Sequence, residues 1–117
     1  RGYLVHSNHY LCAPHDCREN FEKSLPDSFP RLARIGKLIA EDLVGRITIA
    51  DCRRYLSDHD GHPVGICRHP QEEGGYGDEI LPASGRTVAA LIAETGSRRL
   101  HVCRGNPCSG EFVAHAI

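Results

Sequence analysis

The stretch Thr87-Val88-Ala89-Ala90-Leu91-Ile92-Ala93-Glu94 decides the architecture. Arg86 to Glu94 has the composition of a strand, and successive side chains on a strand point to opposite faces. Here both faces are apolar: Val88, Ala90 and Ile92 fall on one, Ala89, Leu91 and Ala93 on the other. A strand of that kind needs cover on both sides. Gly96-Ser97 then turns the chain into Arg98 to Cys103, and Asn106-Pro107 turns it into Glu111 to Ile117. The C-terminal third is therefore expected to be an antiparallel meander with layers on both faces.

Upstream the periodicity changes. Leu32, Ile35, Leu38, Ile39 and Leu43 recur at helical spacing and make one apolar stripe. Asp27 or Ser28 can cap that helix, Pro30 falls in its first turn, where a missing N–H costs little, and Gly45 ends it. Thr48 followed by Asp51 has the form of a capping box for a second, shorter helix that turns Ile49, Cys52 and Leu56 inward. At the start of the chain, Gly2 to Leu11 reads as a strand, and Cys12 to Pro26 as a loop. Ser57 to Ser84, rich in glycine and proline, reads as a long loop around Val64 to Arg68. Structureless loops of such length are usually functional, or contain an unrecognised element. The fold class is α+β: two helices followed by an antiparallel β-meander.

A length of 117 residues suits one domain and can bury roughly two-thirds of its unfolded surface. Fourteen basic and fifteen acidic residues leave a net charge of −1, which gives no bias toward polyanions, so nucleic acid is not expected as a partner. No apolar run reaches the ~20 residues of a membrane helix, so no membrane partner is expected. The chain opens at Arg1 and strand-forming residues begin almost at once, so residues 1–117 read as a single domain or as the C-terminal fragment of a larger one. The six cysteines follow no recognised disulfide framework, and Cys52 and Cys103 sit in helix and strand patterns where a small apolar side chain packs. Reduced thiols fit an intracellular protein, while the compartment stays open.

Two islands carry candidate chemistry. In Val5-His6-Ser7-Asn8-His9-Tyr10 an amide lies between two imidazoles, and an extended backbone puts His6 with Asn8 on one face and Ser7 with His9 on the other. An asparagine on a rigid strand can aim its NH₂ at a developing oxyanion, or can simply satisfy neighbouring backbone. In Ile66-Cys67-Arg68-His69-Pro70, cationic neighbours could favour the Cys67 thiolate, and the Arg68 guanidinium offers a fixed fork of donors for a carboxylate. Adjacent residues of an extended segment point apart, however, and a surface ion pair would account equally well for Arg68. His6, His9, Cys12, His15 and Cys17 crowd into twelve positions. His6 and His9 face opposite ways on a strand and do not converge, so no metal is expected there, and no cofactor elsewhere. His59, His62, His101 and His115 carry no discriminating context and read as structural or solvated.

Taken in series, these segments resemble the acyl-coenzyme A:6-aminopenicillanate acyltransferase (isopenicillin N acyltransferase) family of autoproteolytic N-terminal nucleophile hydrolases. The matching stretches are Val5-His6-Ser7-Asn8-His9, Leu25-Pro26-Asp27-Ser28 with Arg31, Ile66-Cys67-Arg68-His69-Pro70, and the tail from Thr87 through Leu100-His101-Val102 to Gly105-Asn106-Pro107-Cys108. The resemblance implies a four-layer αββα sandwich, of which this chain would be the C-terminal portion. It also implies a cysteine nucleophile, exposed as a new N-terminus by self-cleavage, whose thiol attacks an amide or thioester while its α-amino group serves as base. Asn8 corresponds to the family's oxyanion-stabilising asparagine and Arg68 to its active-site arginine; His6, His9 and Cys67 stand beside them as substrate-binding candidates. The implied partners are a small-molecule amide or acyl-coenzyme A substrate and the N-terminal part of the same protein. The chain departs from the family in three ways: its six cysteines are internal, Gly65 stands where the family often has serine before Ile-Cys-Arg, and Ser7 replaces a threonine. The expected function is that of the supporting half of a cysteine acyltransferase or amidohydrolase, inert alone. The rival expectations are a small Cys/His metal-binding or protein-interaction module, and a homologue that keeps the fold without the chemistry.

Overall fold

The computed structural model describes residues 2–8, 27–42, 45–63, 65–70 and 85–117. Among these residues the order is α1 (Ser28–Glu41), α2 (Ile49–Leu56), β1 (Ala89–Glu94), β2 (Arg99–Arg104) and β3 (Phe112–Ala116). The strands form one antiparallel sheet in the order β1-β2-β3, so the chain is α+β with two helices followed by a meander.

Each element forms where its local chemistry directs it. Asp27 occupies the N-cap of α1, but its side chain makes no capping bond and is engaged in ion pairs instead. The helix stops at Glu41 with Asp42 extended, earlier than the expected stop at Gly45. Leu43, expected in the apolar stripe, lies outside the described residues. Asp42 accepts from the Tyr55 hydroxyl and pairs with Arg54 at 2.6 Å, which ties the end of α1 to α2. Tyr55 is the most buried residue of α2. Burial, then the hydrogen bond to Asp42, pushes its phenol up to about 12. The expected capping box of α2 is complete: the Asp51 N–H donates to the Thr48 hydroxyl, and the Asp51 carboxylate accepts from the Thr48 N–H at 2.9 Å.

α2 lies against β1, and Ile35 of α1 joins Cys52, Tyr55 and Leu56 of α2 around Ile92. Ala90 and Ile92 point into this layer with Cys103, and Leu38 is buried in α1. The opposite face differs from the expected double cover. Leu91 is 59% exposed and Val113 49% exposed, and the register aligns Leu91, Val102 and Val113 in one row across the three strands. The described residues supply a helical layer on one face of the sheet only. Val88, expected inward, precedes β1 and is exposed.

The expected first strand is also different. Residues 2–8 alternate between half-buried (Tyr3, Val5, Ser7) and exposed (Leu4, His6, Asn8), as strand side chains do, yet join no ladder among the described residues. A strand is completed by a neighbour's backbone, and residues 2–8 pair with neither edge strand of the described sheet. The loop expected over Cys12 to Pro26 lies outside the described residues, as does 71–84 of the long loop. The described part of that loop is anchored at both ends. Arg34 forks onto Asp58 at 2.9 and 2.6 Å, and the Cys67 N–H donates to the Asp58 carbonyl at 2.9 Å. Further on, Arg68 and Thr87 exchange bonds, N–H to hydroxyl and N–H to carbonyl, both at 2.9 Å.

Candidate functional site

Two neighbourhoods hold the chemistry, and both depend on this loop. The first is built around Asn8. Its backbone N–H donates to the Ser28 hydroxyl at 2.8 Å, and that hydroxyl donates in turn to Ser7 at 3.0 Å. Ser28 is fully buried at the first residue of α1, so the start of the helix holds residues 7 and 8 in place. One turn later Arg31 donates to the Asn8 Oδ1 at 3.1 Å. An amide whose oxygen accepts from a guanidinium has a settled orientation, with its NH₂ left as the donor end. A cavity opens there, with His6, Ser7, Asn8 and Arg31 on its polar side and Ile35, Leu56 and Ile66 on its apolar side.

Asp27 links this neighbourhood to Arg68. Its carboxylate is buried and stands 3.0 Å from the Arg31 guanidinium and 3.5 Å from that of Arg68. A buried carboxylate shared by two guanidiniums is well compensated, and it fixes both long side chains. The Arg68 Nε–H is buried without a partner among the described residues. Asn8 and Arg68 are thus joined through Arg31 and Asp27, although Arg68 does not line the cavity.

Cys67 is turned elsewhere. Its sulfur is buried, accepts from the Asn106 side chain at 3.4 Å and lies 3.8 Å from the His69 Nε2. The same His69 nitrogen is 3.1 Å from the His59 Nε2 and 3.3 Å from the Cys108 sulfur. One ligand atom from each of His59, Cys67, His69 and Cys108 falls within 4.8 Å of all the others. This second neighbourhood escaped the sequence reading. The available signal was Cys67-x-His69, since residues two apart on an extended segment share a face. The arrival of His59 and Cys108 is set by folding: the Cys67–Asp58 backbone bond brings residue 59 alongside, and the turn after β2 brings residue 108.

Gly65, where the resemblance would place serine, is buried, and a side chain there would meet the Asp60 carbonyl oxygen at 3.1 Å. The absent hydroxyl is matched by a close backbone approach. His9, Cys12, His15 and Cys17 lie outside the described residues. Among the described residues no helix is long and apolar enough to cross a membrane. In comparisons with known proteins, no family model and no curated protein matches the chain.

Proposed function

We propose that the chain is the C-terminal part of a cysteine-nucleophile acyltransferase or amidohydrolase of the N-terminal nucleophile type. The observation that carries this reading is the Asn8 amide. Its oxygen is held by Arg31, which leaves its NH₂ as the donor end, and the residue lines a cavity with polar and apolar walls. That arrangement suits a donor for the oxyanion of a tetrahedral intermediate, with the apolar wall of Ile35, Leu56 and Ile66 receiving an acyl chain. Arg68, fixed by Asp27, adds positive charge one ion pair away from Arg31, and His6 lines the cavity.

Among the described residues no cysteine lines this cavity, so the nucleophile comes from outside them. The second layer of a sandwich would cover the row Leu91, Val102 and Val113, and the αββα arrangement is proposed on that ground together with the motif series. A second reading, a Cys/His metal-binding module, is favoured by the cluster at His69 and does not involve Asn8.

Acyl turnover by the protein carrying a cysteine-bearing region ahead of this chain is the test. Asn8→Ala is expected to lower kcat by about 10²–10³-fold, the usual loss for one oxyanion donor. Undiminished turnover would remove Asn8 from the mechanism, and a coding sequence with no cysteine upstream of Arg1 would remove the acyl-transfer reading itself.

A further inference from the structure

His59, Cys67, His69 and Cys108 come from two loops that share no secondary structure, yet two sulfurs and two imidazole nitrogens converge on one point. Ordinary hydrogen bonding does not account for this. The His69 Nε2 faces three neighbours at 3.1, 3.3 and 3.8 Å, and a single ring nitrogen either donates one proton or accepts one. Two neutral imidazoles share at most one proton across the 3.1 Å gap, and thiols are weak partners.

The same distances fit a different occupant. Around a tetrahedral zinc, with bonds of ~2.0–2.1 Å to imidazole nitrogen and ~2.3 Å to thiolate, neighbouring ligand atoms stand roughly 3.3–3.8 Å apart. The three separations at the His69 Nε2 span nearly that range, and all four ligand atoms lie within 4.8 Å of one another, so the widest pair has at most about 1 Å to close around an ion. The donor set is two thiolates and two imidazoles with no carboxylate, which suits zinc over calcium or magnesium. Asn106 supplies an outer partner: its NH₂ donates to the Cys67 sulfur at 3.4 Å and to the Arg68 carbonyl at 2.5 Å, so one side chain orients a ligand and the segment that carries it.

We propose that His59, Cys67, His69 and Cys108 form a structural zinc site that clamps the loop at 58–70 to the turn between β2 and β3. Four protein ligands leave no open position for substrate, so the role is architectural. The ion holds the residues on either side of Arg68 and thereby sets where that guanidinium meets Asp27. The site stands independently of the acyl-transfer reading, since none of its four ligands lines the Asn8 cavity.

The full chain, purified under reducing conditions, is incubated with zinc, dialysed against metal-free buffer and measured for bound metal. One tightly held zinc per chain is expected, displaceable by cobalt with the visible absorption of a tetrahedral thiolate complex. Cys108→Ser and His59→Ala alter exposed residues and are expected to lose stoichiometric zinc and the cobalt spectrum while keeping the far-ultraviolet dichroism of the parent. Cys52→Ser, on α2 and outside the cluster, is expected to retain both. A chelator should lower the melting temperature of the parent and leave that of Cys108→Ser unmoved. Failure of the reduced parent to retain zinc overturns the proposal, and so does zinc held equally by both ligand variants, which would put the ion on other residues. A Cys67–Cys108 disulfide in the freshly isolated protein also overturns it.

Discussion

A side chain added at residue 110 would have no room. Its Cβ would press on the sulfur of Cys103, which is wholly buried, and stand 3.0 Å from the carbonyl oxygens of Arg104 and Asn106. Backbone cannot move aside as a side-chain tip can, so Gly110→Ala is expected to cost about 1–3 kcal/mol. Urea unfolding measures this, and a midpoint equal to the parent's would mean the turn relaxes freely. Asp27 is the other residue on which much depends. Asp27→Asn would leave Arg31 and Arg68 without their shared anion, and a loss of roughly 3–5 kcal/mol is expected, as for other broken buried pairs. A melting temperature within a degree or two of the parent would mean that water already screens the two arginines.

At the scale of elements, two polar clamps tie α1 to the C-terminal end of α2: Asp42 with Arg54 and Tyr55, and Arg34 with Asp58 just beyond it. The hydrogen bond from Arg34 is the main cause holding the Asp58 carboxyl below its ordinary 3.8, and the Thr48 bonds do the same for Asp51. Carboxyls depressed by folding stabilise the protein above their unfolded pKa and lose that contribution as pH falls through the folded value. Stability is therefore expected to hold down to about pH 5 and to fall below about pH 4. Asp58→Asn should start lower and fall less steeply, and denaturant midpoints at a series of pH values decide it: an equally steep acid limb would assign the loss to other groups. Thr48→Ala, which removes one half of the capping box, is expected to cost about 1 kcal/mol. That box was legible from four residues because its bonds are local. The end of α1 was not, because Asp42 leaves the helix to meet Tyr55 and Arg54, partners twelve or more residues away.

For the whole molecule the open sheet face is decisive. Leu91, Val102 and Val113 form an apolar row that the described residues leave uncovered. With a second sheet packed on it, Leu91→Lys should destabilise the protein by several kcal/mol, because a charge is costly to bury. In the 117-residue chain alone the same change should stay within about 0.5 kcal/mol. Equal, small effects in both would count against the sandwich. By itself the sequence determined what short-range physics controls: the helical stripe, the Thr48–Asp51 box, the strand with two apolar faces and the turns that fold it into a meander. Only the tertiary structure decided that Arg31 orients Asn8, that Asp27 bridges Arg31 to Arg68, and that His59 and Cys108 meet Cys67 and His69. Asp27 and Arg31 stand one helical turn apart, but Arg31 with Asn8, Asp27 with Arg68, and His69 with His59 and Cys108 join residues ten or more positions apart, and no local periodicity encodes those meetings. They are set by the Asp58 anchor, the start of α1 and the β2–β3 turn acting together.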